Sequence, residues 1–170
     1  VSANGNKDTV FKGDAISMSA MVLPQNASDP SVTWSVTPPD LAQISADGLL
    51  TAIDTGNINV KAIANDGSGV SDSVNMVIIN RLVQSVTVSA SGNKDTVFKG
   101  DTIRLNALVL PQNATDPSVT WSVTPSELAQ IDQGGLLTAI DTGKINVKAT
   151  ANDDSGVSDF VNVVIINRLF

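Results

Sequence analysis

The side chains best placed to do chemistry in this chain are acidic. Asn65, Asp66 and Asp72 fall close together, and Asn152, Asp153, Asp154 and Asp159 repeat the pattern farther along. Oxygen donors of this kind suit calcium, which takes about 6–8 ligands from carboxylates, carbonyls and water. The spacing departs from the helix-loop-helix calcium loop, which ends on a Glu. Asp66, Asp72, Asp153, Asp154 and Asp159 are therefore candidate ligands for a calcium ion that would order a loop. Against this stands the plainer reading that Asp and Asn cap tight turns. No other cofactor is implied.

Little else in the composition supports catalysis. The chain has no His and no Cys, so imidazole bases, thiol nucleophiles and the usual zinc ligands are absent. Glu127 is the only Glu, its counterpart is Asp40, and neither belongs to a carboxylate pair with divided roles. The expectation is a protein that is not an enzyme. Lys12-Gly13-Asp14 and Lys99-Gly100-Asp101 resemble a short receptor-recognition tripeptide, but Gly before Asp also suits a turn into a strand. Asn26-Ala27-Ser28 and Asn113-Ala114-Thr115 fit a glycosylation acceptor pattern and read as turns after Pro24 and Pro111.

The charge balance narrows the partners. Seventeen acidic against ten basic side chains leave a net charge of −7. Phosphate-backbone binding needs a Lys/Arg surplus, so nucleic acid is excluded. The apolar runs are a few residues long and direct membrane insertion is not expected. With 42% hydrophobic residues, the chain can still build a core.

The elements that must position these groups come in two copies. At an offset of 87, residues 1–83 fall on 88–170 without a gap, and 65 of the 83 pairs are identical. The second copy opens with Val83-Gln84-Ser85-Val86-Thr87, whereas Val1 is the counterpart of Val88. Asn167-Arg168-Leu169-Phe170 at the end matches the Asn80-Arg81-Leu82-Val83 that leads into the second copy. The expectation is an excerpt from a longer array, divided into repeat 1 over 1–82, its first strand truncated, and repeat 2 over 83–170.

Within a copy, short segments alternate with period two, as half-buried strands do. Ile103, Leu105, Ala107 and Val109 share one face of 102–110; Val119, Trp121 and Val123 do so in 118–124. Ile145, Val147, Ala149 and Ala151 alternate through 144–151, and Val161, Val163 and Ile165 through 157–166. Gly, Pro, Asn and Asp clusters separate these runs. About seven short strands per copy predict an all-β protein of two tandem antiparallel β-sandwiches. Trp34 and Trp121 are in phase with flanking valines and read as core rather than sugar platforms. Phe11 and Phe98 also read as core; Phe160 reads as outward-facing and Phe170 is terminal. Lys144 and Lys148 read as guards of an exposed sheet edge. The join from Val77 to Val88 holds no Gly or Pro, so the last strand of one copy is expected to run almost directly into the next, stiffening a rod.

Gly13/Gly100, Pro24/Pro111, Trp34-Ser35/Trp121-Ser122, Gly48-Leu49/Gly135-Leu136 and Gly56/Gly143 together resemble the bacterial immunoglobulin-like group 2 domain. The resemblance covers both copies. It implies tandem Ig-like β-sandwiches displayed outside a bacterium, of the kind repeated in intimin- and invasin-type adhesins. The expected role is a stalk, spacer and adhesive module whose immediate partners are neighbouring repeats of the same array. Alternatives are a module binding a host or microbial surface glycan or protein, ordered by calcium, and an accessory domain of a secreted carbohydrate-active enzyme.

Overall fold

Alternation of apolar and polar residues is realised as paired strands throughout the computed structural model, which describes residues 1–169. The chain divides into two compact units, Val1–Arg81 and Leu82–Phe170. The first contains β1 (Ser2–Ala3), β2 (Thr9–Phe11), β3 (Ala15–Ser19), β4 (Val32–Thr37), β5 (Ala42–Ile44), β6 (Leu49–Ala52), β7 (Gly56–Ala64) and β8 (Ser71–Ile79). The second contains β9 (Ser85–Ala90), β10 (Thr96–Phe98), β11 (Thr102–Leu110), β12 (Val119–Thr124), β13 (Ala129–Ile131), β14 (Leu136–Ala139), β15 (Gly143–Ala151) and β16 (Ser158–Ile166).

Each unit is a sandwich of two four-stranded sheets. Their orders are β1-β3-β6-β5 and β2-β8-β7-β4 in the first unit, and β9-β11-β14-β13 and β10-β16-β15-β12 in the second. The opening strand of each unit serves both sheets. β9 runs antiparallel to β11, a single 3-10 turn at Ser91–Asn93 follows, and β10 then joins the other sheet parallel to β16. Gly92, at φ +72°, sits in that turn, where a left-handed residue lets the chain change sheets. The period-two pattern marked neither the switch nor the parallel pair, because the strand on each side is only a few residues long.

The cores lie between the sheets of each unit. Leu50, Val60, Met76 and Ile78 are almost wholly buried in the first; Leu105, Leu137, Ile145, Val147, Val163 and Ile165 are in the second. Among the described residues no polar or charged side chain is buried. Burial of each such aliphatic side chain stabilises the fold by about 1.5–3 kcal/mol, which a sandwich without disulfides depends on. Trp34 and Trp121 pack half-buried against these cores, as their phase predicted.

Three expectations are corrected. Phe98 is 41% exposed, because Val97 takes the inward position and Phe98 lies opposite Ile166 on the outer face, with the Arg168 guanidinium 5.2 Å from its ring centre. Arg81 stands 4.3 Å over Phe11 in the same way. Lys144 and Lys148 lie on β15, an interior strand hydrogen-bonded to β12 and β16, and so guard no edge. Five residues, 80–84, separate β8 from β9, so strand does not run directly into strand. Phe170 lies outside the described residues.

Candidate functional site

The acidic loops join β7 to β8 and β15 to β16, and in both units their carboxylates are engaged with backbone amides. Asp66 accepts the Ser68 amide at 2.9 Å, and Asp153 accepts that of Ser155 at 3.1 Å. These are local turns of the kind Asp forms with a backbone two residues on. Asp154 adopts φ +64° where the first unit has Gly67 at φ +80°, so it fills a left-handed turn position that Asp tolerates. Asp153 also accepts the amide of Val83, and Asp159 that of Val88 at 2.8 Å. In the first unit, Asp72 binds the Val1 nitrogen at 2.7 Å, in the same register as Asp159 and Val88. Among the described residues no three His, Cys, Asp or Glu side chains come together in a way that would hold a metal ion.

Asp153 and Asp159 therefore hold the opening strand of the second unit, and Asp72 holds that of the first at Val1. Sequence spacing missed this role, since Val83 and Asp153 are 70 residues apart. The one available signal was the apolar pair Val83 and Val86 ahead of Val88, which the structure buries.

The Lys-Gly-Asp corners are likewise built into the fold. The Asp14 amide donates to the Phe11 carbonyl at 3.0 Å across Gly13, whose φ of +86° is what the third residue of such a turn requires. Lys12 pairs with Asp54 at 2.7 Å and Asp14 with Arg81 at 2.6 Å. Lys99 pairs with Asp141 at 2.7 Å and Asp101 with Arg168 at 2.8 Å. The Asn26 and Asn113 sites lie in turns closed by Ala27 on Pro24 and Ala114 on Pro111, with both Asn side chains exposed. Phe160 is 55% exposed opposite Lys148.

These hydrogen bonds and pairs lower several carboxyl pKa values below the ordinary 3.8. Ser31, Ser68 and Ser118 do this to Asp29, Asp66 and Asp116. Lys12 and Lys99, with the amides of Thr55 and Thr142, do it to Asp54 and Asp141. The Val1 nitrogen and the Ser73 amide lower Asp72. At Asp153 desolvation pushes upward, and hydrogen bonds from Ser155 and Val83 outweigh it. A carboxyl lowered in the folded state binds fewer protons than in the unfolded chain, so its stabilisation is present above the unfolded pKa and lost as pH falls through the folded one. Urea midpoints are expected to stay level between about pH 5 and 7, where no side chain of this composition ordinarily titrates, and to drop steeply below about pH 4. Added salt should flatten the drop, because the groups are exposed and screened. A midpoint that rises on acidification would contradict the assignment.

The family model described as Bacterial Ig-like domain (group 2) matches residues 1–74 and 82–161. An uncharacterised protein of Clostridium acetobutylicum is 31% identical over 169 residues, covering 99% of this chain and 17% of its own length. The Ig-like virion protein of Serratia phage KSP90 is 28% identical over 162 residues, covering 90% of this chain and 59% of its own. Among solved structures, domains 4 and 5 of the S-layer protein SbsC align over 95% of this chain and 93% of theirs, at 14% identity and a TM-score of 0.45. The chain thus spans less than a fifth of the first relative.

Proposed function

Because this chain belongs to the bacterial Ig-like domain (group 2) family, we propose that its two sandwiches are non-catalytic spacer and display units of a bacterial surface or secreted protein. One observation carries the reading. Among the described pairs at which the copies differ, only Met18/Leu105 and Met76/Val163 are buried in both, and each exchanges one apolar side chain for another. The other differences lie on exposed or half-buried ground, including Ser73/Phe160, Ser17/Arg104 and Asp47/Gly134. With 65 of the 83 pairs identical and both buried exchanges apolar, each copy keeps the same sandwich and most of the same surface, as suits a part whose useful property is repetition. The net negative charge favours solubility and keeps neighbouring arrays apart.

The match to a phage virion protein across both units supports a second reading, the same display role on a virion surface. Two further alternatives are ligand binding, with or without calcium at Asp66, Asp72, Asp153, Asp154 and Asp159, and an accessory role beside a secreted carbohydrate-active enzyme. The test inserts the chain between a cell-surface anchor and a binding domain of known target, and in parallel screens the two-unit chain against glycans in calcium and in chelator. The spacer reading expects attachment to gain reach with copy number, to survive substitution of the acidic loops by Asn, and to show no glycan binding in either buffer. Specific binding in both buffers would replace it with a lectin-like role. Binding lost in chelator would replace it with a calcium-ordered one.

A further inference from the structure

Arg81 lies in the connection between β8 and β9, and exposed connections are where proteases commonly nick a chain. Residues 80–84 belong to no strand, and Leu82 is 46% exposed. By sequence, Arg81 followed by Leu82 is a ready substrate for a protease that cuts after Arg. The Arg81 side chain, however, is only 20% exposed. Its guanidinium stands 4.3 Å over the Phe11 ring and pairs with Asp14 at 2.6 Å.

The seat that receives this side chain is pinned to both sheets of the first unit. Phe11 closes β2 opposite Ile79, and the Lys12 amide donates to the Ile79 carbonyl at 2.9 Å. On the other sheet, the Gly13 amide donates to the Ala52 carbonyl at 3.0 Å, and the Ala52 amide donates to the Asp14 carbonyl at 2.9 Å. Ring and carboxylate are therefore held by a corner that cannot shift without parting hydrogen bonds to β6 and β8. The backbone just past the joint is held within the second unit. Asp153 accepts the Val83 amide, and the Gln84 amide donates to the Leu110 carbonyl at 2.8 Å. The same three groups meet after β16, where Arg168 stands over Phe98 and pairs with Asp101.

We propose that Arg81, Phe11 and Asp14 form a latch that closes the 81–82 peptide bond to Arg-directed serine proteases. Such a protease must draw the guanidinium into an acidic pocket of its own. The latch already gives that guanidinium an anion and a ring face. Cleavage therefore waits for the corner to release Arg81, and its rate follows the population of the released form. Lys serves poorly in this seat, because an ammonium lacks the flat fork that stacks on a ring while it bonds a carboxylate. The inference concerns the survival of the connection and does not rest on the spacer role, so the two can fail separately.

The test is limited trypsin digestion of the full chain, with the fragments 1–81 and 82–170 timed by mass spectrometry. Asp14→Asn removes the anion at nearly constant shape, and Phe11→Leu removes the ring while keeping an apolar side chain. Each is expected to speed cleavage after Arg81 by about threefold or more, and the two together by about tenfold or more. Lys12→Gln breaks the neighbouring pair with Asp54 at the same corner and should leave the rate after Arg81 unchanged. Cleavage after Lys61, within β7, reports opening of the whole unit and should stay level in every variant. A wild-type rate after Arg81 in either Asp14→Asn or Phe11→Leu overturns the proposal. An equal rise in Lys12→Gln also overturns it, as does a rise matched after Lys61, since each assigns the effect to general loosening of the corner or the unit.

Discussion

Replacing Gly135 by Ala is expected to remove about 3 kcal/mol or more from the stability of the second unit. Gly135 closes the turn between β13 and β14 at φ +79°, a left-handed conformation that an L residue adopts at a cost of about 1–2 kcal/mol. A Cβ there would also stand 2.5 Å from the Leu105 carbonyl oxygen and 3.3 Å from the Trp121 ring. The carbonyl is fixed, because Leu105 donates its own amide to Gly135 at 2.7 Å. Neither the turn nor the adjacent strand can yield without breaking this hydrogen bond. Gly100→Ala separates the two contributions. Gly100 has φ +87° but nothing within 4 Å of its Cβ position, so only the conformational cost should remain. Urea denaturation followed by tryptophan emission measures both. Equal losses for the two variants would show that the close approach to Leu105 and Trp121 contributes nothing.

The second large effect is expected from Leu137→Ala, a loss of about 3–4 kcal/mol. Leu137 is wholly buried on β14, where it pairs with Ile103 on one side and Ile131 on the other. Truncation leaves a cavity between two sheets whose backbones are held by ladders on both flanks, so the site collapses poorly. A domain of this size commonly has a total stability of only about 5–15 kcal/mol, so the variant should shift the transition of the second unit visibly. Leu50→Ala, its counterpart, should shift the first unit instead. Each unit holds one tryptophan, Trp34 or Trp121, so a Trp34→Phe background reports the second unit alone. A Leu137→Ala loss below about 1 kcal/mol would mean that the sandwich interior relaxes to fill the gap.

Much of the sandwich was legible because its signal is local. Successive side chains on a strand point to opposite faces, so Ile145, Val147, Ala149 and Ala151 announce an inward face without reference to anything else in the chain. β15 runs Gly143–Ala151 and all four are buried. Short strands speak less clearly. β2 and β10, of three residues each, give no usable period, and so Phe98 reads as core from the sequence although Val97 holds the inward position. Lys148 looked like an edge residue because alternation tells which face a side chain takes and not which strands lie to either side.

The acidic residues mark the same division. Their type and clustering in sequence suited a metal as well as a turn, and spacing alone separates the two poorly. The fold gives Asp153 and Asp159 the amides of Val83 and Val88, groups about 70 residues away. By itself, then, the sequence determined the repeat, the strand faces, the all-β sandwich and the lack of imidazole and thiol chemistry, because composition and two-residue alternation are properties of the chain's own neighbourhood. Only the tertiary structure decided that the opening strand crosses between sheets and that Asp72, Asp153 and Asp159 hold it. Each of these depends on which distant segments pair, and pairing is settled by the joint burial of two sheets rather than by any one strand.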